Sequence, residues 1–273
     1  MNGNRPLGRN LLGINMEQQQ VAVVRKPKML SGVLKYDISQ PSVELESEIP
    51  KVQYLLAEEN TTLDDAGSML HAKKAGLFSS LLSKPKSTDE VLLVSLNKIF
   101  DEYWLGSANY FCEYIKAEEH SIPINNTETQ DTMILGTVFS MENLPNQKSE
   151  VKITRFDRAE RRLSSQVCYD GFGNKRDRET LQHIQTKKVL KKDMDDLQKI
   201  SRSGGSIMNS DKLVDTLKDL AMKRPDANRI LAEEFVVTEL SVLYIPMYMG
   251  IIKWKNKSKN VRIDGTTGSL TIV

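Results

Sequence analysis

The sequence has few of the residues that build metal centres. Two cysteines and three histidines occur among its 273 residues, and none of them forms a CxxC, HxxxH or HExxH motif. Zinc sites depend on such spacings because thiolate and imidazole ligands must converge on one ion. The histidines, His71, His120 and His183, are far apart along the chain. We therefore expect no metal site.

Cysteine is also too scarce for a disulfide scaffold. Cys112 and Cys168 leave two alternatives, a single bridge or two free thiols, and we favour free thiols. As a nucleophile Cys112 would need a base, and the candidate is His120, eight residues further on and expected on the next strand. A free cysteine in a strand-like run more often packs in a core. We therefore assign no catalytic residue.

Long apolar runs and phosphate-binding loops are missing as well. No stretch approaches the roughly 18 apolar residues of a membrane-spanning helix. The amino terminus, MNGNRPLGRNLLGINMEQQQ, lacks the apolar core of a secretory signal. Neither GxxxxGKS/T nor GxGxxG occurs, so we expect no nucleotide cofactor. These absences predict a cytoplasmic protein with no membrane segment and no cofactor.

The overall charge gives no nucleic-acid signature, because 38 Lys and Arg residues are balanced by 36 Asp and Glu residues. One region is locally basic and interleaved with Phe156, Tyr169 and Phe172, the composition that single-strand binding uses. The candidate nucleic-acid surface consists of Arg155, Arg158, Arg161, Arg162, Lys187 and Lys188. Acidic residues are interspersed, so a solvated surface of mixed charge is the favoured alternative.

An internal repeat is the clearest feature that is present. The pattern Leu96, Phe100, Trp104, Gly106, Tyr110 returns 144 residues later as Leu240, Tyr244, Tyr248, Gly250, Trp254. Because side chains alternate between the faces of a strand, the even spacing predicts aromatic rings on one sheet face. Core packing against a helix is favoured, and a ligand or partner groove is the alternative. The candidate groove residues are Phe100, Trp104, Tyr244, Tyr248 and Trp254.

Local patterns predict helices, strands and turns. Thr62 and Asp65 form a capping signal for a helix that extends to Leu81, a charged helix is expected over 178–200, and another begins at Asp211. Strands are expected over 91–100 and 104–115, with a corner at Asp101-Glu102. The second set of strands is expected over 236–245, 247–254 and 261–273, after a helical turn near 227–232. Asp170–Asn174 and Asp264–Gly268 have the composition of turns.

These elements predict an α+β protein made of two related modules, each a helix leading into an antiparallel β-sheet. We expect a disordered tail over residues 1–20 and the first module over 21–142. A linker at 143–150 leads to the second module, residues 151–273, which includes the long charged helix.

The carboxy-terminal segment resembles a set of uncharacterised archaeal and bacterial proteins. There a Tyr-x-Pro-x-Tyr strand precedes an Asp-Gly-x-Thr-Gly turn, matched here by Tyr244-Ile-Pro246-Met-Tyr248 and by Asp264-Gly265-Thr-Thr267-Gly268. Phe100-Asp-Glu-Tyr103-Trp104 looks like the other half of that architecture, without the proline. The closing hairpin is also similar to PepSY-type domains. The resemblance implies a fold and a prokaryotic cytosolic setting, without a reaction.

Together these observations favour a non-catalytic interaction or scaffold protein that binds a protein partner or associates with itself. One alternative is a single-stranded nucleic-acid-associated protein that uses the basic 155–192 region. Another is an enzyme with a pocket between the modules.

Overall fold

The computed structural model describes residues 36–79, 84–125, 129–134, 137–140, 149–189, 193, 197 and 207–273. The tail predicted for residues 1–20 and residues 143–148 of the predicted linker lie outside the described residues. In chain order the strands and helices are β1 (Glu46–Glu48), β2 (Gln53–Ala57), α1 (Leu63–Lys73), β3 (Leu92–Ile124), β4 (Asp131–Ile134), β5 (Thr137–Ser140), β6 (Ser149–Asp170), β7 (Thr186–Lys188), α2 (Ser210–Ala221), β8 (Arg229–Trp254), β9 (Lys257–Asp264) and β10 (Leu270–Ile272).

Three long strands form the centre of one mixed sheet. β3, β6 and β8 have 33, 22 and 26 residues. β3 pairs antiparallel with β8 over Leu92–Ile115 and with β6 over Tyr103–Ile124. The other side of β8 is taken in turn by β1 and β2, both parallel, and by the antiparallel β9. β7 extends the sheet beyond β2, and β10 extends it beyond β9.

Helices α1 and α2 each begin at a side-chain cap. The Thr62 hydroxyl accepts from Asp65 N, and the Asp65 carboxylate accepts from Thr62 N, which confirms the predicted capping box of α1. α1 ends at Lys73, earlier than predicted, and a 3₁₀ turn over Gly76–Phe78 follows it. Asn209 caps α2 by accepting from Lys212 N at 2.9 Å. The two caps satisfy amide groups that a helix start leaves without partners.

The helices lie over the two glycines of the sequence repeat. A Cβ on Gly106 would lie 2.9 Å from Leu217 of α2, and one on Gly250 would lie 3.1 Å from Leu70 of α1. Each helix therefore approaches its strand closely and buries an apolar cluster, with Leu213 and Leu217 in one and Leu70 in the other.

The opposite face of the sheet carries a third apolar cluster. Leu105, Leu243, Ile245 and Met247 lie there, together with Cys168. They alternate along β3 and β8 with the residues that face the helices, as pleating requires. The only described cover on this face comes from Leu181 and Ile184, in the segment that follows β6.

Pro246 fits inside β8 because the neighbouring strand changes at this position. β2 pairs with β8 as far as Tyr244, and the pairing of β8 with β9 begins at Met247. The Pro246 carbonyl points into this gap and accepts from Gly265 N at 2.8 Å. A missing N–H costs little where no strand offers an acceptor.

The prediction of two helix-plus-sheet modules is wrong. β3 and β8, assigned to different modules, are adjacent strands of one sheet, and Tyr36–Val273 form one compact unit. The leucines and glycines of the repeat face each other across this pair, with Leu96 opposite Gly250 and Gly106 opposite Leu240. An internal duplication stays a prediction, and its two copies do not form separate sheets.

Three local predictions also need correction. Asp101-Glu102 is no corner, because both residues lie inside β3. Residues 178–200 are not one helix, because Glu179–Leu181 is a 3₁₀ turn and Thr186–Lys188 is strand β7. The helical turn near 227–232 is the start of β8. In each case pairing with a distant strand overrides the local pattern.

Candidate functional site

The sheet face opposite α1 and α2 carries two adjoining cavities of about 410 and 610 Å³. They share Tyr103, Thr180 and Arg262, and we call the two together the central cleft. Asp101, Asp170 and Asp177 line the smaller cavity, and Glu58, Asp264 and Thr266 line the larger one. Ile245 and Met247 of β8 form part of its apolar floor.

Arg262 of β9 lies at the boundary between the cavities. One of its terminal nitrogens binds Asp101 Oδ2 and lies 3.7 Å from Met247 Sδ. Tyr103 lies beside this ion pair. Burial raises the pKa of Tyr103, and the Asp101 carboxylate raises it further. The phenol is therefore a neutral hydrogen-bonding group at physiological pH.

The turn after β6 borders the smaller cavity. Asp170 Oδ1 accepts from Phe172 N at 3.0 Å and from Asn174 N at 2.9 Å, and Arg176 Nε donates to Oδ2 at 2.8 Å. Burial acts to raise the pKa of Asp170, but the hydrogen bonds from Asn174 and Arg176 outweigh it and hold the pKa below its usual value. Asp170 is therefore an ionised structural group, and the predicted turn is confirmed.

The turn after β9 borders the larger cavity and has the same design. Asp264 Oδ1 accepts from Thr266 N at 2.8 Å and from Thr267 N at 3.1 Å. Asn60 Nδ2 donates to Thr266 O at 2.9 Å and fixes the turn against the chain that enters α1. The predicted Asp264–Gly268 turn is confirmed, with Gly268 at a positive φ of 68°.

Among the described residues that line the central cleft, carboxylates exceed cations. Asp101 and Asp170 are neutralised by Arg262 and Arg176. Within the described ranges, Glu58, Asp177 and Asp264 form no ion pair, and no unpaired Lys or Arg lines either cavity. The cleft therefore offers negative charge next to apolar side chains.

The five candidate groove aromatics lie in the core. Phe100, Trp104 and Tyr244 pack in the cluster beneath α2, and Tyr248 and Trp254 pack in the cluster beneath α1. None lines the central cleft, which lies on the other face. Packing is their observed role, and the ligand groove stays a prediction.

The candidate nucleic-acid residues lie on β6 and β7, and acidic partners accompany most of the arginines. Arg155 binds Glu118 and Asp157, Arg158 binds Glu113, and Arg162 binds Glu160. Arg161 donates to Lys223 O at 2.7 Å. Lys187 and Lys188 lie on β7, opposite Leu56 and Leu55 of β2. Local pairing reduces the positive field that phosphates would meet.

The cysteines are free and buried, and Cys112 is not beside His120. Both residues lie on the same strand, β3. They are eight residues apart, and each residue of a strand adds about 3.3 Å to the distance between them. Burial raises the pKa of the Cys112 thiol. Burial likewise raises the pKa of Cys168 to about 11. The catalytic pairing of Cys112 with His120 is therefore excluded.

We expect both thiols to react slowly with iodoacetamide at neutral pH. A raised pKa keeps each thiol protonated, and burial denies the reagent access. Mass spectrometry of the labelled protein should show little alkylation of either cysteine until urea is added. Labelling of Cys112 in the folded protein at the rate of a free cysteine would contradict its buried position.

The sequence marks Asp170 and Asp264 as turn residues, but it does not reveal the central cleft that they border. Tyr103 belongs to the segment that carries the family resemblance, and Arg262 and Asp177 belong to no recognisable motif. The usable signal was parity, because Asp101 and Tyr103 lie on the side of β3 opposite to Phe100 and Trp104.

Comparison with known proteins yields no match, whether to protein-family models, to curated proteins or to solved structures. The resemblance to the uncharacterised family and to PepSY-type domains therefore stays a prediction. In the part of the chain that the structure describes, no three His, Cys, Asp or Glu side chains are placed to hold a metal ion. No helix in that part is long and apolar enough to cross a bilayer.

Proposed function

We propose that this protein is a non-catalytic interaction protein whose central cleft binds a basic, amphipathic segment of a partner protein. The observation that carries the proposal is the excess of carboxylates beside an apolar floor. A lysine or arginine side chain has an apolar stem and a cationic head, so it complements both parts of such a surface.

The floor supports an extended segment. Ile245 and Met247 point to the sheet face opposite α1 and α2, and Ile251, four residues after Met247 on β8, lies on the same face and is exposed. A segment along β8 would therefore meet apolar side chains inside the cleft and beyond it. Cavities of about 410 and 610 Å³ accommodate side chains of this size.

The charges that select the segment come from two sides. Glu58 follows β2, and Asp177 follows the Asp170 turn, so the two carboxylates border different cavities. Two charged residues on one partner segment would engage both. Attraction of this kind contributes to specificity and association rate, and salt weakens it.

Fluorescence anisotropy with two labelled peptides tests the proposal. One peptide alternates lysine with leucine, and the other alternates glutamate with leucine. We expect only the lysine peptide to bind, and we expect the double variant Glu58→Gln, Asp177→Asn to bind it about tenfold more weakly. Added salt should weaken binding to the unaltered protein more than binding to the variant.

The matched control is the double variant Glu46→Gln, Glu48→Gln. These exposed residues of β1 lie outside the cleft, and their replacement changes the net charge by the same amount. The control should bind the lysine peptide as the unaltered protein does. Equal weakening by both double variants, or equal binding of the glutamate peptide, would contradict a cleft that selects basic segments.

The cytoplasmic location stays part of this proposal, supported by two free thiols. The nucleic-acid alternative stays a prediction, and the ion pairs of Arg155, Arg158 and Arg162 do not favour it.

A further inference from the structure

Three consecutive aliphatic side chains are exposed where β3 begins. Leu92, Leu93 and Val94 are 63%, 39% and 59% exposed. The register of β3 on β8 shifts between Leu93 and Ser95, so a β-bulge leaves Val94 without a partner on β8. A bulge discourages pairing with another strand and redirects a side chain. This run therefore offers its side chains, rather than a backbone edge, to whatever contacts it.

Lysines surround the aliphatic run. Leu92 pairs with Lys253, so β3 begins at the end of the sheet where the hairpin of β8 and β9 turns. We call residues 84–94 and 253–259 together the basic end of the sheet. Its six lysines, which face only two acidic residues in the same segments, are Lys84, Lys86, Lys253, Lys255, Lys257 and Lys259.

The lysines of the hairpin turn keep their charge available. In the part of the chain that the structure describes, the exposed Lys253, Lys255 and Lys257 form no ion pair. Lys255 Nζ lies 4.6 Å from the centre of the Trp254 ring, a contact that leaves its charge unneutralised. Glu90 accepts from Trp254 Nε1 at 3.4 Å and binds none of these ammonium groups. Uncompensated positive charge thus lies next to exposed aliphatic groups.

We propose that the basic end of the sheet binds the surface of a membrane that contains anionic lipids. Anionic headgroups attract lysines, and each lysine near them strengthens binding about fivefold. Leucine and valine side chains beside those lysines bury apolar surface at the boundary between headgroups and acyl chains. Binding of this kind stays at the membrane surface and needs no spanning helix.

The aliphatic run favours lipid over nucleic acid as the anionic partner. Bases of a single strand stack on exposed aromatic rings. Trp254 is the one aromatic residue in the two segments of the basic end, and it is only 4% exposed because it packs in the cluster beneath α1. Leucine and valine give no stacking platform, but they do enter a lipid interface.

Co-sedimentation with vesicles tests the proposal. We expect the full chain to bind vesicles of equal parts phosphatidylserine and phosphatidylcholine, and not vesicles of phosphatidylcholine alone. The triple variant Lys253→Gln, Lys255→Gln, Lys257→Gln should bind the anionic vesicles about a hundredfold more weakly. The double variant Leu92→Ser, Val94→Ser keeps the charge and should bind about tenfold more weakly, because less apolar surface enters the interface.

The matched control is Lys51→Gln, Lys152→Gln, Lys175→Gln, which changes the net charge equally at three exposed lysines outside the basic end. It should bind the anionic vesicles nearly as tightly as the unaltered protein, and melting temperatures should show that all variants fold. Absence of binding to anionic vesicles overturns the proposal, as does equal weakening by the two triple variants. Unchanged binding by Leu92→Ser, Val94→Ser also overturns it. A single-stranded oligonucleotide bound with the same dependence on the hairpin lysines would then be the better partner.

Discussion

Replacing Arg224 by methionine is expected to lower the free energy of unfolding by about 3–5 kcal/mol. Arg224 Nε donates to both oxygens of Glu233, at 3.0 and 3.2 Å, and Tyr110 OH donates to Oε1 at 2.8 Å. The Glu233 side chain is fully buried. Without the guanidinium, a buried carboxylate has no cation beside it, and that cost is large.

The double variant Arg224→Met, Glu233→Gln should recover part of this loss. It removes the buried charge together with its partner, and the glutamine oxygen still accepts from Tyr110. Urea unfolding of the single and double variants measures the coupling as a double-mutant cycle. A double variant less stable than Arg224→Met would show that the charge itself is not the source of the cost.

Arg155→Met is the matched control for this prediction. The Arg155 side chain is 53% exposed and that of Arg224 is 55% exposed, but Arg155 binds the partly exposed Glu118 and Asp157. Surface ion pairs contribute little, so we expect a change below about 1 kcal/mol. The contrast isolates burial of the carboxylate as the variable that decides the effect.

Features that depend on neighbours in sequence could be predicted. The capping box of Thr62 and Asp65, the beginning of α2 and the two Asp-Gly turns involve hydrogen bonds across a few residues. The residues that make these bonds are all visible in one short window of sequence. Such signals need no knowledge of the rest of the fold.

The strands could not be delimited in the same way. The adjacent charges Asp101-Glu102 suggest a turn, but Asp101 binds Arg262, which lies 161 residues away, and Glu102 accepts from Trp104 Nε1 at 2.5 Å. Both charges are therefore satisfied inside a continuous strand. Partners so far apart in sequence leave no local signal. The sequence pattern therefore predicts a break in β3 at Asp101-Glu102, the point where β3 borders the central cleft.

The repeat is visible in the sequence, but the pairing of its two strands is not. Equal spacing in two segments predicts equal local structure, and β3 and β8 do share it. Whether two such strands form separate sheets or pair with each other depends on long-range registration, which spacing does not contain. The central cleft follows from this pairing, because β3 contributes Tyr103 and β8 contributes Ile245 and Met247.

Replacing Gly265 by alanine is expected to lower the free energy of unfolding by about 2–3 kcal/mol. An added Cβ would lie 2.7 Å from Pro246 O and 3.0 Å from its ring. The Gly265 N–H donates to that carbonyl at 2.8 Å, and Gly265 O accepts from Asn60 N and Thr61 N at 2.9 Å each. The methyl group therefore forces the turn away from β8 and strains bonds on both sides of it.

Thermal unfolding followed by circular dichroism measures this effect, and Gly76→Ala is its control. A Cβ on Gly76 would meet no heavy atom within 4 Å, so the control should keep or slightly raise the stability. The same displacement should weaken binding of the lysine peptide, because Asp264 and Thr266 border the cleft. An alanine variant as stable as the unaltered protein would mean that the turn and Pro246 separate without cost, which the paired hydrogen bonds argue against.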